Sequence, residues 1–556
     1  MTIPRRGGHV LADALVDQDC VLAFCVPGES YLPLLDGLYA RSGEVRVVTC
    51  RHETAAANAA DAYGKLTGRP GVCMVTRGPG ATQAAVGVHT ASQDSTPFVL
   101  LVGQVARHMR GREAFQEIDC AAVFGSMAKG VFEIDDPQRI PEIIASAYSL
   151  ALGGRQGPVV ISLPEDVLSA PIEDDPAPAP RAVARQPAPD PADVARLREL
   201  LEAAERPMVL AGGGPWDPEA CRHLSEWAAA CALPVAASFR RQDLLDNASS
   251  AYVGDVGLGV NPALAQRLRD CDLFIALGPR LTEIETQGYT LPVAPVAPQT
   301  VVHAHPDTDE LGRVYQPALG IVAGMSALAA ALDAQCHVDG ARWTGWTASA
   351  RNDYEKWSAL PEAGDRLDLS AAIESLREAL PEDTIYCNGA GNYTVWVHRF
   401  TRYRLLGTQL APQSGAMGYG IPAAVAAQLV HPDRRVVAFA GDGCFQMCGQ
   451  ELATMVAEEL PVIVVVANNG MLGTIRMHQE RRFPGRVMAT DLVNPSFADL
   501  ARAYGVHGER VERAEEVHAA VERARDIGRP ALIEIVCDPD ALTPGVSLSA
   551  LAAAST

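Results

Sequence analysis

The run RRVVAFAGDGCFQMCGQELATMVAEELPVIVVVANNGMLG, residues 434–473, decides how the rest of the chain is read. Arg435–Ala440 reads as a buried strand, Met447–Glu459 as a helix and Val462–Ala467 as a second strand. Strand, helix and strand in that order form a βαβ unit, whose crossover returns the second strand parallel to the first. Gly441-Asp442-Gly443 then ends one strand and Asn468-Asn469 ends another, at the edge where open parallel sheets bind ligands.

The residue types at that edge suit a metal-bridged diphosphate. The two glycines let backbone N–H groups approach phosphate oxygens, close to a helix start whose dipole favours negative charge. Asp442 and Asn469 offer the hard oxygen ligands that Mg²⁺ or Ca²⁺ prefer. Gly-Asp-Gly alone also makes a good turn. The joint pattern, with residues 444–467 placing one helix and one strand between the two motifs, is what points to a ligand.

Outward from this unit, short apolar runs alternate with helical patterns along the chain, as in parallel α/β layers. VLAFCVP, VRVVTC, GVCMVT and FVLLVG are strand candidates in a first block. MVLAGGG, PVAAS, LFIALG and TVVHAH are those of a second. TIYCNG and ALIEIVC join the two strands above in a third. The Pro/Ala-rich stretch 171–193 reads as a semi-extended linker, and the polar stretch 336–366, with its three tryptophans, as a second one. The expected fold is therefore α/β, with three consecutive parallel-sheet domains over 1–170, 194–335 and 367–540 and a tail over 541–556. Three blocks of similar size suggest one architecture used three times.

Composition narrows the function. With 46 Lys+Arg against 67 Asp+Glu, a net charge of −21 and no basic run, a nucleic-acid partner is not expected. No stretch approaches the length of a membrane span; the longest candidate, LPVIVVVANN, ends in two amides and reads as a buried strand. The 13 cysteines are scattered and no secretory signal is visible, so reduced thiols and a cytoplasmic location are expected.

The 434–473 run closely resembles the cofactor motif of the thiamine-diphosphate enzyme superfamily that includes acetolactate synthase, pyruvate oxidase and pyruvate decarboxylase. By that resemblance Asp442, Asn469 and the Met471 carbonyl would hold Mg²⁺, and Gly441, Gly443, Cys444, Leu472 and Gly473 would line the cofactor. NGAGNY (Asn388–Tyr393) and SGAMGYGIPAA (Ser414–Ala424) also match the family. Gly391, Asn392 and Tyr393 would line the diphosphate, Gly415 the cofactor, and Met417 would bend the cofactor into its V shape.

The chemistry also needs a carboxyl group at the aminopyrimidine, whose imino nitrogen removes the thiazolium C2 proton. The resulting ylide adds to a carbonyl carbon, and loss of CO₂ leaves an enamine. Glu53, in the first turn of an Ala-rich helix, is the candidate. Alone, it would read as a glutamate complementing a helix N-terminus. RHE-x-x-A-x-x-A-A-x-A-Y is, however, the family's pattern around its essential glutamate, with Pro27–Ser30 before it and Thr76–Gln83 after it. The resemblance covers about residues 8–540. It implies a pyrimidine-binding domain, a central Rossmann-like domain, a diphosphate-binding domain and a homo-oligomer whose sites lie at the subunit interface.

GREAFQEID resembles the acetolactate synthase segment that sets Phe115 and a catalytic Gln116 beside the reacting carbon, and Lys129 falls near a lysine of that enzyme. Phe115 also reads as a core aromatic and Lys129 as a surface charge. Pro27, Gly28, Thr474 and Ile475 complete a candidate substrate pocket. His478 stands where those synthases carry a tryptophan and Thr474 where they carry a methionine; His478 reads equally as a pocket acid–base group or as an exposed histidine. His89 and Gln93, one helical turn apart, fit under the pocket or at an interface.

The flavin-binding Arg-Phe-Asp-Asp-Arg run of the synthases is Arg280-Leu281-Thr282-Glu283-Ile284 here, so FAD is not expected, although AGGGPW (Ala211–Trp216) could cradle a phosphate or make a tight turn. The expected activity is a thiamine-diphosphate-dependent carboligase or decarboxylase of a 2-oxo acid. The alternative is a lyase of 2-hydroxyacyl-CoA or oxalyl-CoA, for which the C-terminal tail would serve as a lid. A catalytically silent relative is disfavoured because Glu53, Asp442 and Asn469 are all in place.

Overall fold

The computed structural model describes residues 4–361 and 367–554. Three six-stranded sheets form its frame, and all neighbouring strands within them run parallel. The first sheet holds β1 (Leu22–Cys25), β2 (Arg46–Thr49), β3 (Gly71–Val75), β4 (Phe98–Gln104), β5 (Gly130–Glu133) and β6 (Pro158–Pro164). The middle sheet holds β7 (Pro207–Ala211), β8 (Val235–Ala237), β9 (Tyr252–Asp255), β10 (Leu273–Leu277), β11 (Thr300–His305) and β12 (Leu319–Val322). The third holds β13 (Ile385–Asn388), β14 (Gln409–Leu410), β15 (Val436–Gly441), β16 (Ile463–Asn468), β17 (His507–Val511) and β18 (Ala531–Val536).

The outer sheets share one strand order, β2-β1-β3-β4-β6-β5 and β14-β13-β15-β16-β18-β17. The middle sheet runs β9-β8-β7-β10-β11-β12, the order of dinucleotide-binding folds. One architecture is thus used twice rather than three times, and the Rossmann-like reading fits the middle sheet.

The outer sheets meet through two alanine-rich helices. Glu53–Thr67 starts at His52, whose imidazole accepts from Thr54 N–H, and ends at Gly68, whose φ of 66° closes it. Residues Ala55–Gly64 of this helix are all buried, as are Gly420–Gln428 of the helix Gly420–Val430. Helices buried on every side lie in an interior, and their small side chains let two backbones approach closely. One core accordingly joins Phe24 and Val75 of the first sheet to Ala438 and Val464 of the third. Buried Glu451 reinforces the contact by accepting the Arg51 N–H at 2.9 Å, which ties the loop carrying Glu53 to the third unit.

Three boundaries differ from expectation. The helix foreseen at Met447–Glu459 begins at Asp442, breaks into a 3₁₀ turn at Gly449–Glu451 and resumes as Leu452–Ala457. The linker 171–193 lacks secondary structure only to Asp190, which caps the helix Pro191–Ala203, and it lies as a strap against both neighbouring units through Gln18–Pro180 and Gly324–Pro187 hydrogen bonds. The expected linker 336–366 carries a 3₁₀ turn, Gly340–Trp343, and a helix, Thr344–Trp357, packed on the middle unit. There Trp343 is fully buried and donates to the Cys231 carbonyl, and Tyr354 meets Tyr252 edge-on at 5.0 Å.

Residues 362–366 of that linker, residues 1–3, and the last two of the 541–556 tail lie outside the described residues. The rest of the tail is a hairpin, Ala541–Thr543 with Val546–Ser547, and a helix, Leu548–Ala554. Among the described residues no helix is long and apolar enough to cross a membrane.

Candidate active site

β15 and β16 are neighbours, with Gly441 opposite Ala467, so Asp442 and Asn468-Asn469 leave the sheet side by side at its C-terminal edge. The Asp442 side chain is buried. Its Oδ1 accepts from Gly443 N–H at 2.8 Å, and its Oδ2 accepts from Gly470 N–H at 2.9 Å and from Asn494 Nδ2 at 2.8 Å. Burial pushes this carboxyl up from its ordinary pKa, and the hydrogen bonds from Gly443, Asn494 and Gly470 oppose the rise.

Asn494 Nδ2 also reaches Asn468 Oδ1 at 2.9 Å, while Gln446 donates to Asn494 Oδ1 at 2.9 Å and fixes the amide's orientation. The turn into the next helix passes through Gly470 at φ 68°, a conformation that favours glycine. The Asn469 Oδ1 and the Met471 carbonyl face this turn, accepting from Met471 N–H and Gly473 N–H. Carboxylate, amide oxygen and backbone carbonyl are the donor set of a hard divalent cation, so the residues present fit Mg²⁺.

Beside these donors lies a cavity of about 280 Å³. Its walls bring together four segments foreseen from sequence: Gly391–Tyr393, Gly415 with Met417, Gly441–Cys444, and Asn469 with Met471–Ile475. Tyr393 OH accepts from Gly389 N–H at 2.9 Å and lies 3.4 Å from Cys444 Sγ, which in turn accepts from Gly418 N–H. Burial raises the Tyr393 phenol well above its ordinary pKa, so it keeps its proton. Thr474 Oγ1 donates to Asn392 Oδ1 at 2.8 Å. A side chain at Gly443 would meet the tips of Leu472 and Met417, so glycine there keeps the space between them open.

Sequence reasoning missed several contributors. Asp368, Leu369, Trp396, Cys537 and Leu542 also line the cavity, and Asn494 holds Asp442 from a loop with no motif around it.

All residues lining this cavity fall between Asp368 and Leu542. Glu53 lies elsewhere in the same chain. It is half-buried at the C-terminal edge of the first sheet, with its Oε1 3.4 Å from where a Gly80 side chain would begin. Gln116 joins it there: its carbonyl accepts from Gly78 N–H at 2.9 Å, and its own backbone is held at φ 63°. Strained non-glycine backbone of this kind clusters at functional sites. Gly28 follows β1 at the same edge, where a side chain would come within 2.5 Å of Thr76 Cβ; Pro27 beside it is exposed. The two groups of candidate residues thus lie at the C-terminal edges of two different sheets.

The remaining pocket candidates are placed as follows. Phe115 is 73% exposed, which excludes the core-aromatic reading within the chain. His89 and His478 are both exposed, His478 one turn beyond cavity-lining Thr474. Lys129 corrects an expectation: it precedes β5 at the opposite edge of the sheet from Glu53, donates to the Gly153 carbonyl at 2.7 Å and packs its stem on Gly157. Its side chain is exposed, in keeping with a surface charge. AGGGPW resolves as close strand packing, because a side chain at Gly212 or Gly213 would lie 1.9 Å from Ser238 Oγ or the Gly278 carbonyl. Arg280 is engaged with Glu310 at 3.2 Å.

Three family descriptions match the chain: the N-terminal TPP binding domain of thiamine pyrophosphate enzymes at residues 5–123, their central domain at 194–332 and their C-terminal TPP binding domain at 389–535. The acetolactate synthase large subunit of Corynebacterium glutamicum is 32% identical over 97% of this chain and 88% of its own length. The acetolactate synthase isozyme 2 large subunit of Escherichia coli is 32% identical over 96% of each chain. An acetolactate synthase of Mycobacterium bovis is 34% identical over 96% of this chain and 88% of its own.

Proposed function

The chain belongs to the thiamine pyrophosphate enzyme family as an acetolactate synthase-like member, and from that premise we propose that it condenses 2-oxo acids with loss of CO₂. The observation that carries the reading is the cavity in which four motif segments converge on Asp442 and Asn469 at adjacent strand ends. Asp442, Asn469 and the Met471 carbonyl would hold Mg²⁺, and Gly391–Tyr393 would line the diphosphate of the cofactor. Thiamine diphosphate, when bound, supplies the sink for the electron pair released as CO₂ leaves.

The chain's own groups then do the rest. Met417, beside the space that Gly443 leaves open, would bend the cofactor, and Leu472 would line it. Glu53 would hydrogen-bond the cofactor's aminopyrimidine through its carboxyl, and Gln116, held in strained backbone next to Gly78, would orient the substrate. Because Glu53 lies outside the cavity of its own chain, the reading requires a homo-oligomer in which Glu53 of one copy serves the cavity of another. Close packing at Gly212 and Gly213, with Arg280 engaged by Glu310, supports a reaction that needs no flavin. The names of the relatives favour a carboligase over a lyase of acyl-CoA substrates.

The test is turnover of pyruvate with Mg²⁺ and thiamine diphosphate and no added flavin, comparing wild type with Glu53→Gln. Two pyruvates giving one acetolactate and one CO₂ in the wild type, with loss in the variant, is the expected result. Bound cofactor without turnover of pyruvate would move the donor to another class, with thioesters tested next.

A further inference from the structure

After β14 runs a turn, Ala411–Ser414, whose four residues are each gripped by a side chain from outside the third unit. Lys65 Nζ donates to the Ala411 carbonyl at 3.3 Å, and Arg240 Nη1 donates to the Pro412 carbonyl. Asp94 Oδ1 accepts from Gln413 N–H at 2.7 Å, and Thr90 Oγ1 lies 3.1 Å from Ser414 Oγ. The next residues are Gly415, at φ 70°, and Met417, both of which line the cofactor cavity.

The far end of the same segment is anchored by the same cluster. Tyr419 OH donates to Asp61 Oδ2 at 2.6 Å and accepts from Lys65 Nζ at 3.0 Å, while Lys65 also pairs with Asp61 and Asp94. These groups are out of water: the side chains of Lys65, Asp61 and Asp94 are 12%, 0% and 2% exposed, and Arg240 is 2% exposed. Arg240 is itself held at φ 62°, in the left-handed region that non-glycine residues rarely adopt.

A charge-paired network this deeply buried is an expensive way to stabilise a junction, since well-packed apolar side chains do as well. What it provides is geometric definition. Polar groups fix 411–414, and Gly415, whose N–H donates to the Pro412 carbonyl at 3.0 Å, carries that position on to Met417.

We propose that Lys65, Asp94 and Arg240 are positioning residues for the cofactor, contributed by the first and middle units to a wall of the cavity in the third. The inference rests on the thiamine-diphosphate reading of that cavity. It makes cofactor affinity depend on groups that touch neither the cofactor nor the metal donors, through the placement of Gly415 and Met417.

The experiment measures the Kd of thiamine diphosphate in the presence of Mg²⁺, by quenching of the cavity-lining Trp396. Asp94→Ala removes the acceptor for Gln413 N–H, and a lost charge-assisted bond of this kind predicts a Kd about tenfold weaker. At saturating cofactor kcat stays within about twofold of wild type, because no reacting group has changed. Asp94→Asn keeps an acceptor oxygen and recovers most of the loss.

Asp243→Asn is the control. Asp243 accepts from Gly407 N–H at the same junction but does not hold the turn, so its variant lowers the unfolding midpoint without moving Kd. If Asp94→Ala does not fold, Thr90→Val, which deletes only the hydroxyl facing Ser414, decides the matter with an expected weakening of about threefold. Wild-type Kd in Asp94→Ala and Thr90→Val, or an equal shift in Asp243→Asn, overturns the proposal. A wild-type protein that takes up no thiamine diphosphate overturns the reading beneath it instead.

Discussion

Asn494 offers a quantitative test of the metal donors, because it reaches them from a loop that carries no motif. Its amide donates to Asp442 Oδ2 at 2.8 Å and to Asn468 Oδ1 at 2.9 Å, and Gln446 fixes its orientation. In Asn494→Ala both bonds are lost. The bond to Asn468 is neutral and is replaced by water at this half-buried position. The bond to the carboxylate is charge-assisted, and bonds of that kind contribute about 1.5–3 kcal/mol net. Asp442 keeps the Gly443 and Gly470 N–H groups, so its carboxylate loosens rather than swings away. Taking the lower end of the range, divalent-cation affinity is expected to weaken about tenfold, since 1.4 kcal/mol is one factor of ten. Titration with Mn²⁺ followed by electron paramagnetic resonance reads this directly, in the presence of thiamine diphosphate and without turnover. Asp442→Ala should abolish the binding that Asn494→Ala only weakens. An Asn494→Ala protein with wild-type Mn²⁺ affinity would refute the reasoning, because the carboxylate would then need no lateral support.

Two further outcomes follow from burial and backbone shape. The Asp255 carboxyl, half-buried at the end of β9 and accepting from Gln242 Nε2 at 3.0 Å, is pushed up from 3.8 to about 7 by desolvation. The folded chain therefore binds more protons than the unfolded one between those values, so stability falls as pH rises from about 4 to about 7. Asp255→Asn removes that fall and should melt higher than wild type at pH 8 but not at pH 4; parallel melting curves across pH would contradict this. Gly418 sits at φ 82°, and a side chain there would lie 3.0 Å from Met447 Cβ and 3.1 Å from Cys448 Sγ. Gly418→Ala combines left-handed strain with overpacking and should cost about 2 kcal/mol in denaturant unfolding; an unchanged midpoint would show that the segment relaxes.

The residues legible in the sequence were those whose chemistry and spacing coincide. Asp442 and Asn469 end strands of strong apolar character, so their side-by-side placement follows from a βαβ unit alone. The edge strand β2 was foreseen and the buried inner strand β6 was not, but most strands left unseen lie at sheet edges: β14 has two residues, β5 is only partly buried and β17 reads His-Gly-Glu-Arg-Val. Their pairing is decided by neighbours rather than by local pattern. The helix break at Gly449–Glu451 was hidden in an apolar run, because Glu451 is turned inward to accept the Arg51 N–H from a distant segment. Lys129 shows another limit. Its match to a lysine of acetolactate synthase suggested a pocket role, but Lys129 precedes β5 and is left at the opposite edge of the sheet. In the stretch 336–361 the three tryptophans were the signal that chain polarity masked, since Trp343 is buried in the middle unit's core. Asn494 left no comparable trace, its role depending on a contact across 52 residues of chain.

The most direct test of the account is complementation between two inactive chains, Glu53→Gln and Asp442→Asn, purified separately and then mixed after reversible dissociation. If Glu53 of one copy completes the cavity of another, each mixed dimer contains one site with both defects and one with neither. Random pairing then restores about a quarter of wild-type pyruvate turnover. No recovery from a mixture shown to contain mixed dimers would contradict the account, because each site would then be built from a single chain.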